Sequence, residues 1–161
     1  MISFEIRDAE LQQAIARVID NAKDQTRPLN RASIIMRQSV DKNFRVGGRP
    51  KWKPLAASTI KRRRKGSSRP LLNTGIHIRD TIRTESDAYS ARVGPGFGPI
   101  PRVHQFGLNE TIAVRSYVRK GGVTVRAHTM HQNIPARPYL VFQPEDIVRI
   151  VKLFEDHNGF K

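Results

Sequence analysis

Near both ends of the chain, apolar residues recur at helical spacing. Leu11, Ala14, Ile15, Val18, Ile19 and Ala22 follow an i, i+3, i+4, i+7 pattern, which predicts an amphipathic helix over residues 8–24. Asp8 and Glu10 fall in its first turn, where carboxylates favour the helix dipole. A second helix is expected from Pro28, a residue suited to a first helical position, with Leu29, Ala32, Ile35, Met36, Val40 and Phe44 on one face. Gly47-Gly48 should end it, and Pro50 should prevent it from resuming.

The middle and second half lose this period. Residues 47–73 read mostly as loop, with a short basic helix allowed at 56–65 and a breaker at Gly66–Pro70. A short helix is expected near 75–82, capped by Asn73 or Thr74. Thr81–Glu85 and Tyr89–Val93 predict one hairpin, and Gly94–Pro101 a rigid, turn-rich loop. Thr111–Arg119 and Val123–Thr129 alternate and are rich in β-branched residues; Lys120-Gly121-Gly122 joins them as a hairpin turn. Tyr139–Phe142 is expected as an edge strand. Pro144 opens a last helix, with Ile147, Ile150, Val151 and Phe154 on its apolar face and Asn158-Gly159 as its stop. The expected fold is therefore α+β: two N-terminal helices, a mainly antiparallel sheet with hairpins, one C-terminal helix and a long basic loop. One domain over 1–161 is expected, with a mobile loop at 47–70.

Composition narrows the class of partner. The 161 residues can bury about 70% of the unfolded chain's surface. No apolar run approaches the roughly 20 residues of a membrane span, so no membrane partner is expected. Cysteine is absent, which excludes thiol catalysis and thiolate metal sites and suits a reducing cytoplasm. Charge is the main signal: 29 Lys and Arg against 14 Asp and Glu give +15. A balance of that kind points to nucleic acid or a strongly acidic protein surface. The charge is also concentrated, because no acid lies between Asp41 and Asp80. That stretch carries Arg49, Lys51, Lys53 and the run Lys61, Arg62, Arg63, Arg64, Lys65, an electrostatic arm for DNA or an acidic partner. Trp52 lies among these lysines and has two readings: stacking on a base, or anchoring the loop to the core or to a neighbouring subunit.

A search for chemistry returns little. There is no G-x-S-x-G elbow. His128 and His131 have no acidic neighbour, and with 123–129 as a strand His131 falls in the loop that follows. His104 has no local carboxylate to orient it as a base. The glycine-rich loop Gly94–Pro99 carries two prolines, which lack the N–H donors a phosphate cradle needs. Glu145-Asp146 and Glu155-Asp156 are adjacent pairs that do not share a helix face. No enzyme, cofactor or metal site is expected.

An ordered set of motifs says more than any single one. Phe44-Arg45, Gly47-Gly48, Trp52-Lys53-Pro54-Leu55 and Ser58-Thr59-Ile60-Lys61 are followed by Pro70–Ile76, Arg79-Asp80 and Ile82. His104-Gln105-Phe106-Gly107 and Ile134–Leu140 complete the set. This order resembles the phage virion morphogenesis family, which includes protein G of phage Mu and tail completion proteins; it departs from the family's pattern in placing Ile76 and Ile78 in a turn expected to be richer in leucine and arginine. The resemblance implies a structural protein without catalytic residues, acting in tail completion or at the head–tail junction (the neck). It implies ring-forming contacts between identical subunits, with a hexamer as the expected form, and neck, tail or portal-associated proteins as partners. It implies a place in the virion, after assembly in the host cytoplasm, with non-specific contact to phage DNA in the channel. Gly75 and Gly107 would permit a turn or close backbone approach. Arg137, in Ala136-Arg137-Pro138, would sit on an exposed edge facing a neighbour. The other function class that the +15 charge supports is a free DNA-binding accessory protein using the basic loop.

Overall fold

A computed structural model of the chain describes residues 9–63, 67–72, 78–96 and 98–159. Helix α1 spans Ala9–Lys23 and α2 spans Thr26–Val46. Short helices α3 (Ala57–Arg62) and α4 (Ile78–Thr81) follow, then a hairpin of β1 (Ile82–Ser86) and β2 (Ala91–Pro95). Next come α5 (Pro99–Phe106), strands β3 (Leu108–Val114), β4 (Tyr117–Val118), β5 (Thr124–Val125) and β6 (His128–Ile134), and the closing helix α6 (Pro144–Asn158). The fold is a mixture of helices and antiparallel strands, as the sequence pattern implies. Among the described residues the strands form three separate two-stranded pairs, β1–β2, β3–β6 and β4–β5, rather than one sheet.

The chain divides into two compact units, each described by itself. The first holds Met1–Lys42, Ile82–Pro95 and Val141–Lys161. Its buried residues include Ala32, Val40 and Ile82, together with the polar Ser33, Ser39 and Asp146. Asp146 is the pivot: it accepts from the Ser39 hydroxyl of α2 and from the Gln143 amide at 3.0 Å, closing a capping box at the start of α6. Arg37 donates to the Ile82 carbonyl and pairs with Asp41 at 3.0 Å, which ties the β1–β2 hairpin to α2. At the other end of α6, Asn21 of α1 donates to the His157 carbonyl at 2.8 Å. The amphipathic helices leave much of their apolar faces open. No residue of α1 is buried, and Leu11, Ile15 and Ile19 are exposed, as are Ile147, Val148 and Val151 of α6.

The second unit holds Asn43–Thr81 and Gly96–Leu140. Its core is aromatic: Phe44 meets Trp52 edge-on at 5.5 Å between ring centroids and Tyr139 at the same separation. Leu71 is also buried here. The α2 helix ends as the glycine pair dictates, with the amides of Gly47 and Gly48 both returning to the Asn43 carbonyl. The β3–β6 and β4–β5 pairs share one register, since Val114↔His128 is followed, three residues on along each strand, by Tyr117↔Val125. They form a single hairpin from Leu108 to Ile134, roughly 40 Å long. No residue of it is buried.

Three local expectations fail. Residues 99–101 are helical rather than loop, because Pro99 takes the first-turn position of α5, where its missing N–H costs nothing. Tyr139–Phe142 is not a strand: the amides of Tyr139 and Leu140 are both taken by Gln105 Oε1, at 3.0 and 3.1 Å, so no ladder forms. His131 lies in β6 rather than a loop, facing Thr111 across the pair at 3.0 Å.

Candidate functional site

The second unit gathers the scattered motifs into one clasp. Trp52 Nε1 donates to the Pro138 carbonyl at 2.8 Å. Arg137 Nε and Nη2 reach back to the Lys53 and Pro54 carbonyls at 2.8 and 2.9 Å. Arg137's own amide donates to the His104 carbonyl at 2.8 Å, and the neighbouring Gln105 side chain accepts from the amides of Tyr139 and Leu140. Asn43 Nδ2 donates to the Tyr139 carbonyl at 2.8 Å, while its Oδ1 accepts from Arg49 Nε at 2.7 Å. The fragments around Trp52, His104 and Arg137 are thus cross-tied almost wholly by side chains satisfying loop carbonyls. Irregular backbone that is buried must find such partners, since an unpaired buried polar group costs about 1–3 kcal/mol.

Two glycines are required by this packing. A Cβ on Gly48 would lie 2.4 Å from the Trp52 ring and 2.6 Å from the Pro50 carbonyl oxygen, and its φ is +96°. A Cβ on Gly107, with φ +82°, would lie 2.9 Å from the Ala136 amide nitrogen. Gly107 therefore makes the close backbone approach expected of it. Gly75 lies outside the described residues.

Burial shapes the ionisation of the clasp. The Tyr139 hydroxyl, which donates to the Pro101 carbonyl at 3.2 Å, is pushed up to about 12 by loss of solvent. His104 is lowered by desolvation first, then by the Arg137 and Arg63 charges. Desolvation likewise lowers Arg137, with Arg63 adding to it.

The residues expected at a contact surface separate into two groups. Trp52 and Arg137 are internal, 5% and 4% exposed, so their roles here are to anchor and strap the loops. Arg63 is also turned inward, donating to the Arg69 carbonyl at 2.6 Å and the Leu72 carbonyl at 2.9 Å. Arg49 is partly buried against Asn43. Lys51, Lys53, Lys61 and Arg62 remain at the surface; Lys51 caps the Val46 carbonyl at 2.8 Å and Arg62 returns to the Ser58 carbonyl at 3.2 Å. Arg64 and Lys65 lie outside the described residues.

Gln105 was not legible in advance: nothing in an isolated glutamine signals that one oxygen will take two amides. A second group of surface cations, Arg27 and Arg31 on α2 with Arg149 and Lys152 on α6, also escaped notice. Its signal was present in the i, i+4 and i, i+3 spacings, but acids interleaved nearby in sequence masked it. Among the described residues no helix is long and apolar enough to cross a membrane.

Comparison with known proteins agrees with the motif order. The profile of the phage virion morphogenesis family matches residues 6–158. Over 158 residues, 98% of this chain and 96% of the relative, the sequence is 30% identical to the Mu-like prophage FluMu G protein 2 of Haemophilus influenzae. No solved structure matches.

Proposed function

The chain belongs to the phage virion morphogenesis family, and from that premise we propose that it is a non-enzymatic structural part of the particle, acting in tail completion or head–tail joining. It works by protein–protein contact, as a ring of identical subunits bound to neck, tail or portal-associated proteins. The observation that carries this reading is the open apolar surface of two helices. Leu11, Ile15 and Ile19 of α1 are 41–49% exposed, and Ile147, Val148 and Val151 of α6 are 50–65% exposed. Side chains of this kind suit a protein partner and offer nothing to a phosphate backbone. The motif residues of the second unit support it too, because their polar groups are spent on holding loops in place.

Imaging of assembled particles tests the proposal, with the subunit located by difference between wild-type virions and virions lacking it. Density in a ring at the neck or tail end is the expected result. A strictly monomeric protein absent from purified virions would overturn it. A second reading, a free DNA-binding accessory protein, is favoured by one observation: Lys53 and Lys61 are exposed, and their ammonium groups have no hydrogen bond or ion pair among the described residues. Normal particle assembly without the protein, together with duplex binding at physiological salt, would shift the balance to it.

A further inference from the structure

In the first unit, α2 and α6 border a concave groove of about 560 Å³. Arg27 and Arg31 line it from α2 and Arg149 and Lys152 from α6, with one apolar residue from each helix, Ile35 and Leu153, in the same lining. All four cations are exposed, and among the described residues none of their charged groups has a hydrogen bond or an ion pair. One carboxylate, Asp156, shares the lining. The walls are fixed at one end, where Asn21 holds the His157 carbonyl and Gln25 bonds the Asn158 side chain at 3.1 Å.

This arrangement is unfavourable on its own. Arg27 and Arg31 are like charges at i, i+4 on one helix, a pairing that destabilises the helix. Two further cations face the same space and only one acid offsets them. Bound anionic groups would relieve the repulsion, and three of the four cations are guanidiniums, whose planar forks match carboxylates bidentately. The apolar pair Ile35 and Leu153 narrows the choice of ligand. A phosphate backbone has no use for it, whereas a peptide that alternates acidic and apolar side chains satisfies the charged and the apolar lining together. At this groove a second copy of this chain is disfavoured, since it carries the same +15; the contacts between copies proposed above use the apolar faces of α1 and α6 instead.

We propose that this groove docks an acidic, amphipathic segment of another protein, with carboxylates on Arg27, Arg31, Arg149 and Lys152 and apolar side chains on Ile35 and Leu153. The proposal deepens the assembly reading by naming a partner's chemistry, and it rests on that reading only in taking the partner to be a protein.

The test is fluorescence anisotropy on the full chain with three labelled probes. These are a synthetic peptide alternating glutamate with leucine at helical spacing, the same peptide with every glutamate changed to glutamine, and a short DNA duplex. The acidic peptide should bind, and R31E with K152E should weaken it at least about tenfold, as expected for two lost charge-assisted contacts. The glutamine peptide should bind poorly, and the DNA affinity of the variant should change far less than its peptide affinity. R31Q and R149Q provide a milder pair should charge reversal disturb folding, which circular dichroism would reveal. Peptide affinity unmoved in both pairs, equal binding of the glutamine peptide, or a tenfold loss confined to DNA would each overturn the proposal. Any of these alongside normal incorporation into particles would leave the assembly reading standing.

Discussion

Arg137 is the residue on which the second unit turns. Its guanidinium spans two carbonyls 84 and 83 positions back in the chain, Lys53 and Pro54, from a buried position. Arg137→Ala leaves both without a partner and should cost roughly 2–4 kcal/mol. Arg137→Lys should recover less than half of that, because one ammonium cannot reproduce the fork. Urea unfolding of the two variants checks the order; equal stability of Arg137→Ala and wild type would remove the strap from the account. His104, packed nearby, makes a separate prediction in pH. Its folded-state value lies below the ordinary 6.5, from desolvation and then the Arg137 and Arg63 charges. The unfolded chain therefore takes up its proton first. Stability is full above about 6.5 and is lost as pH falls from there toward the lower folded value. His104→Gln should flatten that part of the stability–pH profile, and an unchanged slope would contradict the assignment.

At the scale of elements, the Leu108–Ile134 hairpin is the least supported part of the fold. Among the described residues neither strand pairs along its outer edge, none of its residues is buried, and Tyr117, Val118 and Val123 near its end are exposed. An isolated two-stranded ribbon is marginal in water. In the free protein, amides between Tyr117 and Val125 should exchange at least about a hundredfold faster than those of Val40–Phe44 in α2, measured by hydrogen–deuterium exchange. Comparable protection would show that something in the chain covers the ribbon. The inner part and turn of this hairpin were readable, because alternation and a Gly-Gly turn are local signals, but its outer ends, Leu108–Glu110 and Met130–Ile134, were not. The long helices were readable for the same reason, to within a residue or two: α2 starts at Thr26 rather than Pro28. What stayed hidden depends on distant partners. Helix α5 looked like a turn because its prolines and glycines dominate the local pattern, and Tyr139–Phe142 looked like a strand because nothing local reveals Gln105. The candidate site was legible as an ordered list of motifs. Its geometry was not, since an arginine's burial is decided by carbonyls some 80 residues away.

For the whole molecule the deciding quantity is charge. A chain at +15 attracts any polyanion, and that attraction alone does not identify a partner. Duplex DNA should be retained at low salt without sequence preference, through exposed cations such as Lys53, Lys61 and Arg62. Each phosphate contact contributes about 0.9 to the slope of log affinity against log salt. Replacing these three residues by alanine should therefore lower the slope by up to about 3 if all three touch the backbone. Incorporation into the particle should behave differently. Contacts through the open faces of α1 and α6 are apolar and strengthen, if anything, as salt rises. Washing purified particles in high salt should therefore release any DNA-bound protein while leaving virion-bound protein in place. Substituting Ile15 and Ile19 by serine should have the opposite pattern, abolishing incorporation with the salt slope of DNA binding intact. If instead the lysine and arginine substitutions removed the protein from particles and the α1 substitutions did not, the contact that matters would be electrostatic, and the free DNA-binding reading would gain what the assembly reading lost.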